Sequence, residues 1–401
     1  MDSNPRIRLL TSILAVLGGV ACPAAATGQW QRHTIDRSSQ GADGVRLLDV
    51  NHDGRLDIAT GWEEGGQIRI YLNPGPEKSR LTWPAATVGM VASPEDAVFV
   101  DLDNDGAVDV VSSCEGRTKT MFVHWAPRAS VYLAASAWKT ETLACTAQQQ
   151  AWMYCLPMEM DGRNGIDLVV GSKGANASVG WLESPADPRD VAAWKYHRLC
   201  DAGWIMSLER SDLDHDGDDD LLVSDRKGAG RGVFWLENPG SASAFETWPR
   251  HPLGGKDREV MFLYQADLDQ DGQNEVLSAV KDRDFLVLRR SPAGWSASEI
   301  PIPAGCGTGK SIAAADIDLD GTVDVVFSCE NAAGEKSGVR WLTRQGERWI
   351  DHEISGPVGV KYDQIRLVDL DADGDVDVLT CEERANLGVI WYENPTRSRA
   401  P

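Results

Sequence analysis

Acidic residues recur along this chain in a nine-residue pattern whose spacing suits a divalent cation. The full pattern has oxygen-bearing side chains at positions one, three, five and nine and glycine at position six, as in DLDNDGAVD from Asp101. A hard cation such as Ca²⁺ takes several carboxylate and carbonyl oxygens, and the glycine permits the tight turn that gathers them. Seven such segments, starting about fifty residues apart, occupy residues 49–57, 101–109, 159–167, 212–220, 267–275, 316–324 and 369–377.

Six of the seven segments keep all four side-chain ligands, and they predict about six calcium ions. The last acid stands at position nine instead of twelve, and no helical pattern flanks the segments, so they are not EF-hands. Because the loops are dispersed along the chain, we interpret the calcium as structural and not as a sensor. The predicted ligands are Asp49, Asn51, Asp53 and Asp57; Asp101, Asp103, Asp105 and Asp109; Asp212, Asp214, Asp216 and Asp220; Asp267, Asp269, Asp271 and Glu275; Asp316, Asp318, Asp320 and Asp324; and Asp369, Asp371, Asp373 and Asp377.

The segment at 159–167 departs from this pattern. Glu159 and Asp161 are kept, but Arg163 occupies position five and Asn164 replaces the glycine. Since a guanidinium at position five can neutralise the remaining carboxylates, we predict that this loop binds no metal.

The composition is that of a folded, acidic protein. The 401 residues are 42% hydrophobic, which is ample for a large core, and the formal net charge is −22. Much of the negative charge lies in the nine-residue segments. No basic stripe is present, so the sequence argues against a nucleic-acid partner.

The N-terminus has the features of an export signal. Arg6 and Arg8 precede an apolar run at 9–21, and small residues at 24–26 form a cleavage site. We predict that residues 1–26 are removed and that the protein is periplasmic, surface-bound or secreted. No second apolar stretch is long enough to cross a bilayer.

The cysteines do not indicate a complete set of disulfides. A lipoprotein signal ending at Cys22 is an alternative to simple cleavage, although Gly19 stands where a larger aliphatic residue is expected. The other seven cysteines are an odd number and cannot all pair. We interpret Cys114, Cys329 and Cys381 as buried small hydrophobic residues.

Each repeat contains four short β-strand patterns. An apolar segment such as 45–48 precedes the acidic loop, and a β-rich run such as 109–112 follows it. A third segment ends in an aromatic residue and a turn, as in GWLESP from Gly180, and a fourth begins with tryptophan, as at Trp138. Four strands per repeat predict the blade of a propeller. We therefore expect residues 27–401 to form one all-β, seven-bladed propeller with four-stranded antiparallel blades.

The missing strand of the seventh repeat stands at the beginning of the chain. Residues 29–36 match 348–355 in pattern, and Trp30 adds a seventh tryptophan to the series that opens the fourth segments. We predict that residues 30–36 pair with the strand at 388–393. The N-terminal strand would then close the ring and leave no exposed sheet edge.

These repeats resemble the FG-GAP or VCBS family, whose calcium-loop propellers also form the heads of integrin α-subunits. The likeness covers roughly residues 29–395 and includes the loops, their spacing and the closing strand. It implies an extracellular location, calcium in the loops that join the first two strands of each blade, and ligand binding on the opposite face. It does not imply one activity, because adhesion modules, lectins and some sugar-degrading enzymes share the scaffold.

Two sets of residues at equal offsets from the loops predict a binding mouth on that opposite face. They should lie at equal depth around the axis, with an anionic arc opposite a cationic arc. We expect the pairs Asp43 with Glu63, Glu95 with Glu115, Lys310 with Glu330, and Asp363 with Glu383. The residues six after position nine are Glu63, Glu115, Lys173, Arg226, Lys281, Glu330 and Glu383. The residues six before position one are Asp43, Glu95, Met153, Met206, Met261, Lys310 and Asp363.

Tryptophans outside the repeat pattern point to the same face. Trp62, Trp152 and Trp204 fall in connections on the side away from the acidic loops. Nearby connections add Arg258, Lys361 and Tyr362, with Glu259 beside them. Carboxylates, cations and a few aromatic rings around a concave mouth suit a sugar or another polyhydroxyl ligand.

The sequence leaves three functions open. Binding of a polar ligand, above all a glycan, is the first. The second is a carbohydrate-active lyase, dehydratase or hydrolase, for which the candidate catalytic residues are Glu330, Lys310, Glu383 and Asp363, because crowded carboxylates can become general acids. The third is a protein-adhesion module, in which outer-rim loops would bind the partner. No nucleophile motif or HExxH zinc motif selects a reaction.

Overall fold

The computed structural model describes residues 29–281 and 284–397, and within them 28 β-strands form seven sheets of four. The predicted signal peptide at 1–26 lies outside these residues. We name the strands of each blade A to D from the axis outwards, and number the blades along the chain. None of the helices in the described residues has the length and apolar composition needed to span a membrane.

The sheets confirm the expected seven-bladed, all-β propeller. Blade 1 contains β2 (Ala42–Leu48), β3 (Asp57–Trp62), β4 (Gln67–Tyr71) and β5 (Ala85–Met90). Blade 2 contains β6 (Pro94–Val100), β7 (Asp109–Cys114), β8 (Met121–Trp125) and β9 (Lys139–Thr142). Blade 3 contains β10 (Ala151–Met158), β11 (Asp167–Lys173), β12 (Ser178–Glu183) and β13 (Lys195–Asp201). Blade 4 contains β14 (Ile205–Ser211), β15 (Asp220–Asp225), β16 (Gly232–Leu236) and β17 (Arg250–Gly254).

The remaining blades follow the same order. Blade 5 contains β18 (Val260–Ala266), β19 (Glu275–Val280), β20 (Phe285–Ser291) and β21 (Gly294–Ile300). Blade 6 contains β22 (Thr308–Ala315), β23 (Asp324–Glu330), β24 (Val339–Gln345) and β25 (Arg348–Glu353). Blade 7 contains β26 (Arg366–Val368), β27 (Asp377–Glu382), β28 (Gly388–Glu393) and β1 (Gln31–Asp36). Short 3₁₀ helices lie at Ala129–Val131, Ala135–Ala137, Ala144–Thr146 and Ser241–Ser243.

The predicted closure of the ring by the N-terminal strand is confirmed. β1 pairs antiparallel with β28, with Gln31 opposite Glu393 and His33 opposite Trp391. The Trp30 amide also donates to the carbonyl of Ile354 in the preceding blade. The two ends of the chain therefore meet within one sheet, and β28 has no free edge.

Tryptophans and histidines pack the outer strands against one another. In four blades the histidine of strand D lies on the tryptophan near the end of strand C, with ring centroids 4.1–4.7 Å apart. In three of these pairs the histidine Nε2 also contacts a strand-C glutamate at 2.7–2.8 Å. The pairs are His33–Trp391, His197–Trp181, His251–Trp235 and His352–Trp341. These histidines thus have the structural role that their repetition suggests.

A buried carboxylate ties each A–B loop to its blade. In all seven blades the acid at position nine accepts a hydrogen bond from the backbone N–H of position two, at 2.8–3.2 Å. In blades 1, 2, 3, 4 and 7 its second oxygen accepts the N–H of the residue that follows strand C, at 2.7–2.9 Å. One side chain therefore joins the loop, strand B and strand C, and it fixes their relative register.

The closing strand yields the first testable prediction. Deletion of residues 27–36 should cause aggregation and a lower melting temperature, because β28 would become an open edge and Trp391 would lose its cover. Size-exclusion chromatography with light scattering measures the first effect, and thermal denaturation the second. Removal of residues 1–28 alone is the control. A 27–36 deletion that stays monomeric and equally stable would contradict closure by β1.

Candidate functional site

The A strands surround a polar cavity on the face opposite the acidic loops. Its volume is about 370 Å³, and residues of all seven blades line it. The structure brings together six of the seven predicted residues in each set. From the first set these are Glu63, Glu115, Lys173, Arg226, Lys281 and Glu330. From the second set they are Asp43, Glu95, Met153, Met206, Lys310 and Asp363.

A repeated β-bulge aims the second set at the axis. Six A strands shift register against strand B near their first residues, as between Pro94 and Asp96 or between Gly309 and Ser311. The residue inside the bulge, such as Glu95 or Lys310, has no partner across the pair. Bulges turn a side chain away from the regular alternation, so these residues project into the cavity.

In blade 5 the prediction fails, although the bulge spans two residues as it does in blade 1. The register shift falls between Val260 and Leu263. Met261 is fully buried in the apolar core, and Phe262 lines the cavity in its place. The equal-offset rule therefore fails for Met261 by one residue.

The carboxylates of the cavity interact with one another, within the predicted pairs and beyond them. Glu95 and Glu115 are within hydrogen-bonding reach, as expected, and burial raises the pKa of Glu95 to about 8. Asp43 lies within 4.8 Å of Glu63, its expected partner, and it also interacts with Asp363 of blade 7, which in turn interacts with Glu383. Burial and the adjacent Asp363 raise the pKa of Asp43 well above its ordinary value.

Most cations of the cavity also have carboxylate partners. Lys173 Nζ lies 3.3 Å from Glu95 and contacts Glu115, and Lys281 lies 3.4 Å from Glu330. Lys310 lies 3.7 Å from Asp363, Lys361 contacts Glu383, and Arg226 donates to Glu259 at 2.9 Å. Two of these ion pairs, Lys173–Glu115 and Lys281–Glu330, join neighbouring blades where the predicted cationic and anionic arcs meet. Lys310 pairs with Asp363, and its expected partner Glu330 pairs with Lys281.

Trp204 forms an aromatic wall among the cations. Lys173 Nζ, the Arg226 guanidinium and Lys227 Nζ lie 4.7, 4.5 and 4.7 Å from the centre of its ring. The Trp204 amide donates to Asp225 at 2.8 Å, which holds the connection in place. Its indole Nε1 is buried without a hydrogen-bond partner among the described residues. The cavity wall here therefore combines an apolar ring with the cations of Lys173 and Arg226, whereas Lys227 contacts the ring but does not line the cavity.

Three aromatic residues that were predicted to bind ligand do not line this cavity. Trp62 is buried and donates to the hydroxyl of Tyr71, and Trp152 is buried and donates to the carbonyl of Thr146. Tyr362 packs in the core against Tyr392, with 2.8 Å between their hydroxyls. Each ring fills space between blades because its apolar body finds more cover there.

Arg258 and Glu383 also depart from the prediction, for electrostatic reasons. Arg258 is held by an ion pair with Glu299, on strand D of blade 5, and is not part of the cavity wall. Glu383 is nearly buried against Lys361, and its carboxylate lies within 4.8 Å of that of Glu63, which lines the cavity. Lys361 itself lines the cavity.

Sequence reasoning missed a further set of lining residues. Each stands one position after a predicted residue, at a turn or bulge that gives two neighbours access to the axis. Including the residue that follows each predicted position would have identified them from the sequence. They are Gly44, Asp96, Tyr154, Ile205, Phe262, Asn331, Gln364 and Arg384.

On the other face, the acidic loops contain groups that fit a divalent cation. The loop carboxylates cluster, and oxygens of Asp101, Asp103 and Asp109 lie within 4.8 Å of one another, as do those of Asp212, Asp214 and Asp220. Several of these oxygens are buried without a hydrogen-bond partner among the described residues, and a cation would satisfy them. The loop ligands with such an oxygen are Asp101, Asp212, Asp316, Asp324, Asp371 and Asp373.

Arginines already contact four of the loops. Arg55 contacts Asp53, Arg80 contacts Asp371, Arg189 contacts Asp103, and Arg289 lies 3.3 Å from Asp269. In the described part of the chain, the loops at 212–220 and 316–324 have no arginine partner at positions one, three, five or nine. Their carboxylates are therefore the most open to a cation.

The third loop keeps a positive φ at position six but differs locally, since Gly165 at position seven also has a positive φ, of 100°, and it is the Gly162 amide that donates to Glu159. Asn164 has φ of 59°, in the left-handed region that Gly106 occupies with φ of 83° in the second loop. Arg163 is exposed and, within the described residues, forms no ion pair with Glu159, Asp161 or Asp167. Oxygens of these three acids lie within 4.8 Å of one another. The expected neutralisation by arginine is therefore not present, and the loop differs by having three carboxylates instead of four ligands.

Comparisons with known proteins agree with this architecture. The family model for the FG-GAP-like repeat matches residues 49–112, 212–278 and 267–327. Comparison with curated protein sequences gives no match.

Solved structures with a similar chain include two crystal structures of BBS1N in complex with ARL6DN. In the crystal soaked with mercury, the matched chain is 10% identical to this one with a TM-score of 0.52, and the match covers 93% of this chain and 98% of that chain. In the crystal soaked with lead, the identity is 11% and the TM-score is 0.53, and the match covers 94% of this chain and 99% of that chain. At this level of sequence identity, the similarity supports a shared fold and nothing more.

The raised pKa of Glu95 yields a prediction about pH. Burial of the charged form costs stability, so the free energy of unfolding should fall as pH rises from about 4.5 to about 8, the ordinary and folded pKa values. Glu95→Gln removes this dependence, while Lys173 keeps Glu115 as its partner. At pH 9 the variant should be more stable than the wild type by roughly 1–2 kcal/mol, and at pH 4 the difference should vanish.

Chemical denaturation at pH 4 and pH 9, at fixed calcium, measures the effect. Glu77→Gln, at an exposed loop position, is the matched control and should follow the wild type. Parallel pH profiles of Glu95→Gln and wild type would contradict the assignment.

Proposed function

The chain belongs to the FG-GAP-like repeat propellers, and from this premise we propose that it binds an acidic glycan in its central cavity. The observation that carries the proposal is the wall formed by Trp204 with Lys173 and Arg226, all three of which line the cavity. A sugar ring presents C–H groups that pack on an aromatic face, and its carboxylate forms charge-assisted hydrogen bonds with lysine and arginine.

The rest of the cavity supports a polyhydroxyl ligand. Its volume of about 370 Å³ falls in the range of small-molecule sites. Glu63 and Glu330 supply acceptors for hydroxyl groups, whereas Glu115 contacts Lys173 beside Trp204. Cations on one side and acceptors on the other would fix the orientation of a sugar acid.

A carbohydrate-active enzyme is the second candidate, favoured by the titration of two glutamates. Burial raises the pKa of Glu63 to about 7 and that of Glu95 to about 8. Groups with pKa values near neutrality are suited to general acid and base catalysis. Asp43, Glu63 and Glu95 place oxygens within 4.8 Å of one another in the same cavity, so proton donors and acceptors would surround a bound sugar.

The proposal includes export and structural calcium. FG-GAP repeats are typical of extracellular proteins, and the N-terminal sequence has the pattern of a signal peptide. The ligands at positions one, three, five and nine would hold the ions. Bound calcium would neutralise buried carboxylates and lock the A–B loops.

Binding can be tested by calorimetry with a uronic-acid oligosaccharide and its neutral counterpart. The acidic ligand should bind more tightly. Arg226→Ala should weaken its binding by roughly 1.5–3 kcal/mol through loss of a charge-assisted hydrogen bond, and Trp204→Ala should weaken both ligands. Lys336→Ala, an exposed position outside the cavity wall, is the control. Folded Arg226 and Trp204 variants that bind like the wild type would exclude this site.

Turnover of the same oligosaccharide separates the two candidates. If the protein is an enzyme, Glu95→Gln should abolish product formation while binding persists. A wild-type protein that binds but yields no product supports the binding function.

Metal analysis of the purified protein tests the calcium proposal. We expect about six ions per chain, and chelation should lower the melting temperature because ions that bind only the folded state stabilise it. The ions at 212–220 and 316–324 should be the last removed. Arg163→Asp should add a seventh ion by restoring position five, whereas Asp216→Asn should weaken one site. A full ion at Asp161 and Asp167 in the unmutated chain would contradict the prediction.

A further inference from the structure

Two cysteines of blade 6 lie side by side next to the cavity wall. The thiols of Cys306 and Cys329 are within hydrogen-bonding reach of each other. Both side chains are buried, at 7% and 0% exposure, and belong to the same apolar cluster. The other five described cysteines are Cys114, Cys145, Cys155, Cys200 and Cys381.

The backbone around the pair is built for close approach. A Cβ at Gly307 would lie 2.9 Å from the Cβ of Cys329 and 2.2 Å from the Glu330 carbonyl, so only glycine fits at that position. Cys306 forms a parallel bridge with Ser337, while the Cys329 amide donates to Gly338 at 2.8 Å. Both cysteines are thus held against the same two-residue segment.

We propose that Cys306 and Cys329 form a disulfide in the exported protein. The inference rests on the proposed export, because disulfides persist in oxidising compartments. It also revises the interpretation of Cys329 as a simple buried hydrophobic residue. The bond would close a loop of about two dozen residues and tie the entry of β22 to the end of β23.

The local charges favour the exchange reaction. Interaction with the Cys329 thiol lowers the pKa of Cys306, and the nearby Arg340 guanidinium acts in the same direction. The thiolate is the attacking species in disulfide exchange. Cys306 is therefore the first nucleophile, and the more deeply buried Cys329 is the second.

The oxidant is a disulfide donor, such as a dithiol–disulfide oxidoreductase or oxidised glutathione. The Cys306 thiolate attacks one donor sulfur, forming a mixed disulfide and releasing the other sulfur as a thiolate. The Cys329 thiolate then attacks Cys306 Sγ and releases the second donor sulfur. Two electrons pass to the donor, whose two thiolates take up the two protons lost by the cysteines.

The disulfide would stiffen one side of the candidate glycan site. Cys329 directly precedes Glu330, and Cys306 stands four residues before Lys310. Both of these charged residues line the cavity. The bond would hold their strands in register even without ligand.

Oxidation of the folded, reduced full chain with oxidised glutathione tests the inference. After alkylation of the remaining thiols and proteolysis, mass spectrometry should find one peptide that links Cys306 to Cys329, and the melting temperature should rise. Cys306→Ser should abolish the link and the rise. Cys114→Ser is the matched control, since Cys114 stands at the same offset from its loop as Cys329, and it should keep both.

The unmutated chain decides the question even if a variant does not fold. Alkylated Cys306 and Cys329, or separate glutathione adducts on them, would overturn the inference. A second arm maps the thiols of protein recovered from the exported fraction, where reduced Cys306 and Cys329 would also overturn it. A chain that stays in the cytoplasm yet links these cysteines in vitro would contradict export while supporting the disulfide geometry.

Discussion

The structure depends on a carboxylate that is buried in every blade at position nine of the loop. Burying an ionised group is costly unless hydrogen bonds or a counter-charge compensate it. Asp377, for example, accepts the amides of Leu370 and Asn394, and burial nevertheless raises its pKa to about 8. Backbone donors therefore offset only part of the cost. An arginine, or the proposed calcium ion, would supply the counter-charge that keeps such a carboxylate ionised.

The buried carboxylate at position nine also explains why residues far from the loops share one cavity. It fixes the register of strands A, B and C at the loop end, and antiparallel pairing carries the register to the opposite end of each blade. Equal offsets along the sequence then become equal depths around the axis. Bulges recur in six of the A strands, and the relation fails at blade 5, where Phe262 lines the cavity and Met261 is buried in the core.

The repeat period, the four-strand blades and the closing strand could be predicted because backbone pairing imposes them at regular intervals. Side-chain partners could not be. Trp62, Trp152 and Tyr362 stand outside the repeated positions, yet interblade packing buries them. The pairing of Asp43 with Asp363 joins blades 1 and 7, which are distant in sequence, and only closure of the ring brings them together. The contact between Cys306 and Cys329 likewise depends on the path of the connection before β22, which the repeat period does not determine.

The charge of the cavity differs from that of the whole protein, and the cause is burial. The chain carries −22 overall, but burial, and after it the adjacent carboxylates, raise the pKa values of Asp43 and Glu95 and favour their protonated forms. Burial alone would lower the pKa values of Lys173, Lys310 and Lys361, but the neighbouring carboxylates outweigh it and raise them, so these lysines stay charged. The cavity is therefore less negative than its count of acidic residues implies. An acidic protein can in this way present a cavity suited to the proposed anionic ligand, while Asp43 and Glu95 remain hydrogen-bonded to Asp363 and Glu115.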